Sequence, residues 1–377
     1  MTILRLHVKK LFDGQNYIDD QVLTISDGKV TAFDSNTSQV DEVIEGLVVP
    51  GFIDLQVNGG GGALFNDTPS LKNIQTIIAA HSEFGTTAML PTLITDKISV
   101  MEKAADAMAE AIAEKVPGII GIHFEGPHLS VAKKGAHIEE YIRPISSQEW
   151  RVLERKDIGQ ILVTLAPETV QTDDIARMVS LGIKVCLGHT NASFNIAQSA
   201  LDAGADGFTH LYNAMSPIQG REPGVTGCAL LNDAASCGLI VDGHHVDYAS
   251  CKLALKTKPA GSVFLVTDSM PPVGTNDIEF DLVGKKVFLE GGKLTSTTGE
   301  LAGSVLDMVT AVENTHLGLK LPLDEALRMA STYPANYINQ SDLRGSLTIG
   351  SQADFVEINE EIKVKSTWIS GKRVYKK

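Results

Sequence analysis

Short apolar runs alternate with segments of helical period through most of the chain. Eight such runs follow one another between about residues 48 and 270. Most are separated by segments such as SVMEKAADAMAEAIAEK and DDIARMVSLG, whose apolar residues recur with the spacing of one helix face. Regular alternation of strands and helices predicts a parallel sheet, and eight repeats predict an α/β fold with a closed (β/α)₈ TIM barrel. The predicted strands are residues 48–57, 86–92, 118–125, 160–168, 183–189, 207–213, 239–246 and 263–269.

The two ends of the chain have a different pattern. Residues 1–48 and 345–377 contain short alternating runs separated by turn residues, which is typical of antiparallel strands. We expect these two segments to form one small β-sandwich domain beside a barrel domain at 49–344. Residues 277–300 have the pattern of a β-hairpin inserted after the eighth strand.

Composition and charge narrow the class of protein. The 377 residues are 43% hydrophobic and 21% charged, enough for one large and one small domain without disulfides. The net charge of −14 disfavours partners such as nucleic acid or an anionic membrane. A phosphorylated small-molecule substrate remains compatible with it, because a local cluster of positive or N–H groups can bind such an anion. The four cysteines form no CxxC pair, and no apolar stretch approaches membrane-spanning length. We therefore expect a cytoplasmic protein.

Four of the predicted strands end on a side chain that can bind a metal or move a proton. The runs GIIGIHFE, IKVCLGH, GFTH and VFLVTD end on Glu125, His189, His210 and Asp268. In a parallel barrel these strand ends open into one mouth, where groups from separate strands converge. Two imidazoles and a carboxylate suit a catalytic zinc ion, which lowers the pKa of bound water from about 15.7 to roughly 7. The pattern predicts a metal-assisted hydrolase, with Asp268 as the general base that returns the proton to a leaving nitrogen.

The end of the first strand bears on how many metals the site holds. Gln56 and Asn58 alternate along the strand and so both face the mouth. Amides are poor ligands for transition metals, so these residues favour one divalent ion rather than two. Zn²⁺ is the first choice, with Fe²⁺, Mn²⁺ or Co²⁺ as alternatives. His123 shares a face with Glu125, and we interpret it as a packing or supporting residue.

Loops beyond the strand ends carry residues suited to an anion and a sugar. The loop HLYNAMSPIQGREPGVTG contains Asn213, Ala214 and Arg221, and an arginine fork with turn N–H groups can hold a phosphate. KKGAH places His137, and DGHHVD places His245, in loops that should overhang the mouth. Each can donate a hydrogen bond to a carbonyl or to hydroxyls, and spacing leaves both assignments open.

These motifs resemble one family. PGFIDLQVNG, FEGPH with a following KKGAH, GHTNA, THLYNAM, GREPG, DGHHVD, LVTDSMPPVG and LAGS resemble the amidohydrolase superfamily and, within it, the N-acetylglucosamine-6-phosphate deacetylases. The resemblance runs from near residue 48 to about 345, and the ending ADFVEIN is similar to the superfamily's terminal sandwich. It implies hydrolysis of the acetamide of N-acetylglucosamine 6-phosphate to glucosamine 6-phosphate and acetate, in a homodimer.

The resemblance also implies a role for each matching residue. Glu125, His189 and His210 match the metal ligands, and Asp268 matches the proton-transferring aspartate. Arg221 matches a phosphate-binding arginine that can reach across a dimer interface, and His137 is expected to stabilise the oxyanion. The positions expected to contact substrate are Ala136, His137, Asn213, Ala214, Arg221, His245, Leu301, Ala302 and Gly303.

Three alternatives stay open. One is an N-acetylgalactosamine-6-phosphate deacetylase, since that substrate differs at one hydroxyl and no residue visibly distinguishes it. A second is another amidohydrolase, although a cyclic-amide enzyme is disfavoured because Gln56 and Asn58 occupy the place of its His-x-His pair. The third is an inactive barrel that only binds a sugar phosphate.

The departures from the family pattern are His128 after EGP, the run SMPPVG, and a four-glycine run without cysteine.

Overall fold

The computed structural model describes residues 3–297 and 299–377. Met1, Thr2 and Thr298, which fall in the predicted ranges 1–48 and 277–300, lie outside the described residues. The strands, in chain order, are β1 (Ile3–Phe12), β2 (Tyr17–Ser26), β3 (Lys29–Asp34), β4 (Glu42–Pro50), β5 (Phe52–Val57), β6 (Gly59–Gly60), β7 (Ala63–Leu64), β8 (Thr86–Ile94), β9 (Gly121–Glu125), β10 (Gln160–Leu165), β11 (Lys184–Leu187), β12 (Gly207–Phe208), β13 (Ser236–Leu239), β14 (Val263–Leu265), β15 (Glu279–Leu282), β16 (Lys285–Glu290), β17 (Lys293–Ser296), β18 (Phe355–Ile358), β19 (Val364–Ile369) and β20 (Lys372–Lys376).

Helices follow most of the barrel strands. Several begin where a serine accepts a backbone N–H group, as Ser70 does from Asn73 and Ser193 from Ile196. Among the described residues, no helix has both the length and the apolar character needed to cross a bilayer. The helices are α1 (Leu71–Ser82), α2 (Ile98–Ala113), α3 (Ser147–Leu153), α4 (Thr172–Ser180), α5 (Phe194–Asp202), α6 (Gly224–Leu231), α7 (Tyr248–Thr257), α8 (Met308–Glu313), α9 (Leu323–Ala330) and α10 (Thr332–Tyr337), with short helical turns at Val131–Lys133, Glu139–Tyr141 and Asn314–Gly318.

The barrel is a parallel sheet in the order β14-β13-β12-β11-β10-β9-β8-β5. Strands β5, β8 and β9 are buried along their whole length, because side chains fill one face and helices cover the other. The sheet closes just beyond β14, where the Asp268 N–H donates to the Gln56 carbonyl at 3.0 Å. At the same seam the Thr267 hydroxyl donates to the Asp54 carboxylate at 2.5 Å. The predicted eight-stranded TIM barrel is confirmed.

The two ends of the chain meet in one mixed sheet, in the order β20-β19-β18-β4-β1-β2-β3 among the described residues. Its apolar side chains form a core of their own, in which the rings of Phe355 and Trp368 stack with centroids 5.2 Å apart. The predicted sandwich built from both termini is therefore confirmed. The domain boundaries at residues 48 and 345 stay predictions.

Several predicted strands differ from the observed ones; the sixth, predicted at 207–213, is only Gly207–Phe208. The run 48–57 divides at Gly51 into β4 and β5. Thr87 packs closely against this position, since a Cβ on Gly51 would lie 2.0 Å from the Thr87 hydroxyl oxygen. The seventh strand was predicted at 239–246 but ends at Leu239. Ile240 and Val241 are fully buried without continuing the ladder, so an apolar run there reports burial rather than strand pairing.

The segment after β14 covers part of the barrel mouth. It forms three antiparallel strands in the order β15-β16-β17, one more than the predicted hairpin has. Leu282, Val287 and Leu294 of this sheet pack with Ile94 and Met270 of the barrel. The insertion is therefore joined to the barrel by an apolar contact directly beside the strand ends.

Candidate metal and active site

The chain turns sharply at the strand ends that carry the predicted chemistry. Glu125 is the last residue of β9, while His189, His210 and Asp268 follow their strands within three residues. The last three have positive φ angles, of 48°, 31° and 52°. Such angles are uncommon for residues other than glycine and persist only where surrounding contacts hold them, most often at functional sites. The turn brings these three side chains into the barrel mouth.

Glu125, His189 and His210 converge on one point. The Nε2 atoms of the two histidines are 3.0 Å apart. The Glu125 Oε1 atom lies 3.0 Å from His210 Nε2 and 3.2 Å from His189 Nε2. All three side chains are buried. The structure thus brings together the three predicted ligands, which come from three separate strand ends.

The donor atoms of this group fit a divalent cation. Atoms bound to one zinc ion at about 2.0–2.2 Å with tetrahedral angles lie about 3.3–3.6 Å apart, within a few tenths of an ångström of the separations here. His189 Nδ1 is 2.9 Å from the carbonyl oxygen of Lys133, which can only accept, so Nδ1 carries the proton. The lone pair of His189 Nε2 therefore faces the centre of the group, as metal binding requires.

Two amides hold Asp268 beside this group. Gln56 Nε2 donates to Glu125 Oε1 at 3.0 Å and to Asp268 Oδ1 at 3.1 Å. Asn58 Nδ2 donates to the same Asp268 oxygen at 2.6 Å. The two amides thus act as donors toward carboxylates. That the site holds one metal rather than two stays a prediction.

The two carboxyl groups have opposite pKa shifts. Burial acts to raise the pKa of Glu125, but the hydrogen bonds and charges of His189 and His210 hold it well below its ordinary value. Loss of solvent contact, together with the negative charge of Glu125, raises the pKa of Asp268 to about 6. A carboxyl group with a pKa near the working pH can both accept and return a proton, which suits a general acid–base.

A cavity of about 420 Å³ opens above these groups. Lys133, Met270 and Leu282, which are not among the predicted site residues, also line it. The predicted residues that line it are Glu125, Ala136, His137, His189, His210, Asn213, Ala214, His245, Asp268, Leu301 and Gly303.

Two predicted contact residues do not line this cavity. Ala302 is fully buried and its N–H donates to the Leu294 carbonyl, so it supports the wall from behind. Arg221 is exposed in the loop before α6 and does not line the cavity formed by its own chain. Arg221 is thus not among the predicted site residues that this cavity brings together.

Other histidines are placed by partners that the sequence did not indicate. His245 Nδ1 is 2.6 Å from the Asp242 carboxylate, which also accepts the His244 and His245 N–H groups. His123 lies in the barrel interior, with Nε2 2.7 Å from the Thr164 hydroxyl, as expected for a supporting residue. Asp242 precedes His245 by only three residues, so the Asp-x-x-His spacing is the sequence signal that could have indicated this pair.

The chain is similar to known proteins over most of its length. Residues 47–374 match the model of the amidohydrolase family. An N-acetylgalactosamine-6-phosphate deacetylase from Shewanella sp. (strain ANA-3) is 45% identical over 97% of this chain and 94% of its own. An N-acetylglucosamine-6-phosphate deacetylase from Haemophilus influenzae is 36% identical over 85% of each chain. The crystal structure of N-acetylglucosamine-6-phosphate deacetylase from Pasteurella multocida superposes with a TM-score of 0.94 at 35% identity, covering 99% of both chains.

Removal of one ligand should abolish metal retention. We expect the wild-type protein, loaded with zinc and dialysed, to keep about one ion per chain, and His189→Ala to keep less than about a tenth of that. His244→Ala, which removes an exposed histidine in place of a buried one, is the matched control and should bind normally. Elemental analysis by mass spectrometry measures the ratio. Full retention by His189→Ala would show that the metal lies elsewhere.

Proposed function

The chain belongs to the amidohydrolase family, and from that premise we propose that it is a metal-dependent deacetylase of an N-acetylhexosamine 6-phosphate. The observation that carries this proposal is the group of Glu125, His189 and His210 beside Asp268 in one cavity. Relatives that match nearly the whole chain are deacetylases of such sugar phosphates. An inactive binding barrel is disfavoured because all four positions hold residues competent for hydrolysis.

In this proposal each residue has a separate task. Glu125, His189 and His210 would hold one divalent ion, for which Zn²⁺ is the first choice. When bound, such an ion makes water more acidic and polarises a carbonyl group. Asp268 takes the proton of the attacking water and delivers it to the amine nitrogen as the C–N bond breaks. His137 donates a hydrogen bond to the carbonyl oxygen, where negative charge develops. The products are acetate and the free amino sugar phosphate.

The remaining lining residues orient the sugar. The cavity is large enough for a hexose. Its wall includes Asn213, Ala214, His245, Leu301 and Gly303. Ala136 and the buried Ala302 shape it. Fixing the acetamide against the reacting groups lowers the barrier by removing the entropy cost of alignment in the transition state.

For the phosphate we propose Arg221, supplied by a second copy of the chain. Its exposure, and its absence from the cavity lining of its own chain, support action in a homodimer rather than within one chain. A guanidinium group binds phosphate through two parallel hydrogen bonds, which also fix the position of the sugar in the cavity.

We infer that N-acetylgalactosamine 6-phosphate is the preferred substrate. The support is the 45% identity to a deacetylase of that sugar, against 36% to a deacetylase of the gluco epimer. N-Acetylglucosamine 6-phosphate, which the sequence motifs indicate, is the alternative.

An acetate-release assay tests both statements. We expect turnover of both epimers, with kcat/KM higher for the galacto substrate by roughly tenfold, the worth of one hydrogen bond to a hydroxyl. A chelator should abolish turnover and added Zn²⁺ should restore it. Equal or inverted kcat/KM values would reject the epimer assignment. No acetate from either substrate, with metal present, would reject the function.

Loss of the carboxylate at position 268 should stop proton transfer while keeping the fold. Asp268→Asn keeps an oxygen that can accept from Gln56 and Asn58, so we expect normal metal content and a loss of at least ~10² in kcat. Asp277→Asn, the same change at an exposed aspartate, is the control. Turnover of Asp268→Asn near the wild-type value would contradict the assigned role.

Loss of the arginine should weaken binding of the phosphate alone. For Arg221→Ala we expect KM for the phosphorylated substrate to rise roughly tenfold or more, with little change for unphosphorylated N-acetylhexosamine. Arg151→Ala, at an exposed position on α3, is the control. An equal loss on both substrates would remove the phosphate assignment.

Mixing variants distinguishes action within one chain from action between chains. A hybrid of Asp268→Asn and Arg221→Ala chains contains one site with its own aspartate and the partner's Arg221. Activity should therefore return on mixing if the arginine acts between chains. No recovery in a verified hybrid dimer would contradict this arrangement.

A further inference from the structure

His137 is attached to the cavity wall through one ring nitrogen. The Thr95 backbone N–H donates to His137 Nδ1 at 3.3 Å, and the Thr95 hydroxyl oxygen is 2.9 Å from the same atom. The ring lines the cavity and packs edge-on against His189, with centroids 4.4 Å apart. With Nδ1 engaged by Thr95, Nε2 is the nitrogen that remains to contact a ligand.

The two Thr95 groups place different demands on Nδ1. A backbone N–H can only donate and cannot rotate, so it requires a lone pair on Nδ1. The hydroxyl can rotate, donating either to Nδ1 or to the Glu125 carbonyl, which is 3.3 Å away. A proton on Nδ1 would oppose the fixed N–H and leave it without an acceptor in a buried position, at a cost of about 1–3 kcal/mol. The neutral ring with its proton on Nε2 satisfies both groups.

The fold holds Thr95 tightly in this place. Thr95 follows the end of β8 and is almost fully buried. Its hydroxyl approaches Gly126 so closely that a Cβ there would lie 2.2 Å from Oγ1, and Gly126 has a φ of +89°. The absence of a side chain at Gly126 therefore lets the end of β8 pass close to the end of β9 and reach the His137 loop.

We propose that Thr95 is a positioning residue that keeps the proton of His137 on Nε2, so that the ring donates a hydrogen bond into the cavity. This inference rests on the proposed function, in which the acceptor is the acetamide carbonyl oxygen. A ring in the other tautomer would turn a lone pair toward that oxygen and repel the charge that develops on it.

His245 shows that the cavity does not treat all its histidines alike. The partner of its Nδ1 is the carboxylate of Asp242, at 2.6 Å, which accepts rather than donates. Nδ1 of His245 therefore carries a proton and donates, whereas Nδ1 of His137 accepts from Thr95, so the group behind each ring determines the role of its Nδ1.

Nitrogen NMR tests the tautomer directly. In the zinc-loaded protein labelled with ¹⁵N-histidine, His137 is identified by the resonances lost in His137→Gln. We expect its proton on Nε2 and a non-protonated Nδ1. A proton on Nδ1, or on both nitrogens, would overturn the proposal. This readout does not depend on turnover, so a wild-type protein that releases no acetate would reject the function and leave the tautomer result standing.

Kinetics of matched variants test the positioning role. Thr95→Val removes one of the two Thr95 groups that engage Nδ1 and keeps the other, the backbone N–H. We therefore expect a partial loss, with kcat falling roughly two- to tenfold and KM and zinc content unchanged. Thr95→Ser restores the hydroxyl and should restore kcat. Thr315→Val is the control, since its hydroxyl is equally buried and donates to the Ala311 carbonyl far along the chain. Equal kcat for Thr95→Val and the wild type would contradict the role of the hydroxyl.

Discussion

A single carboxylate oxygen, Glu125 Oε1, lies at the centre of the barrel mouth. It is 3.0 Å from Gln56 Nε2, 3.0 Å from His210 Nε2 and 3.2 Å from His189 Nε2. Glu125 and these three groups come from four different strand ends, so they meet only when the barrel is closed. A buried carboxylate needs such partners, because an unpaired charge away from water is strongly destabilising. The site and the closed barrel therefore depend on each other.

The amides of Gln56 and Asn58 explain how two carboxylates share a small space. Glu125 and Asp268 repel each other, and that repulsion contributes to the raised pKa of Asp268. Gln56 donates one hydrogen bond to each carboxylate, and Asn58 adds another to Asp268. These donors stabilise the two carboxylates side by side through hydrogen bonds.

The sequence alone predicted the barrel and the group of Glu125, His189, His210 and Asp268, because strand period and polar strand ends depend on local pattern. It did not predict the positive φ angles of three of those residues, nor the bond from Thr95 to His137. These features depend on contacts between distant segments. The seventh strand was predicted at 239–246 but ends at Leu239. Apolar residues indicate burial whether or not their backbone pairs in a sheet.

The position of the bound metal tests this account most directly. A crystal structure of the zinc-loaded protein, with anomalous data at the zinc edge, locates the ion without reference to activity. We expect a single peak about 2.0–2.2 Å from Glu125 and from the Nε2 atoms of His189 and His210, with Gln56 and Asn58 not coordinated. A peak elsewhere, or a second peak beside Gln56 and Asn58, would contradict the central claim.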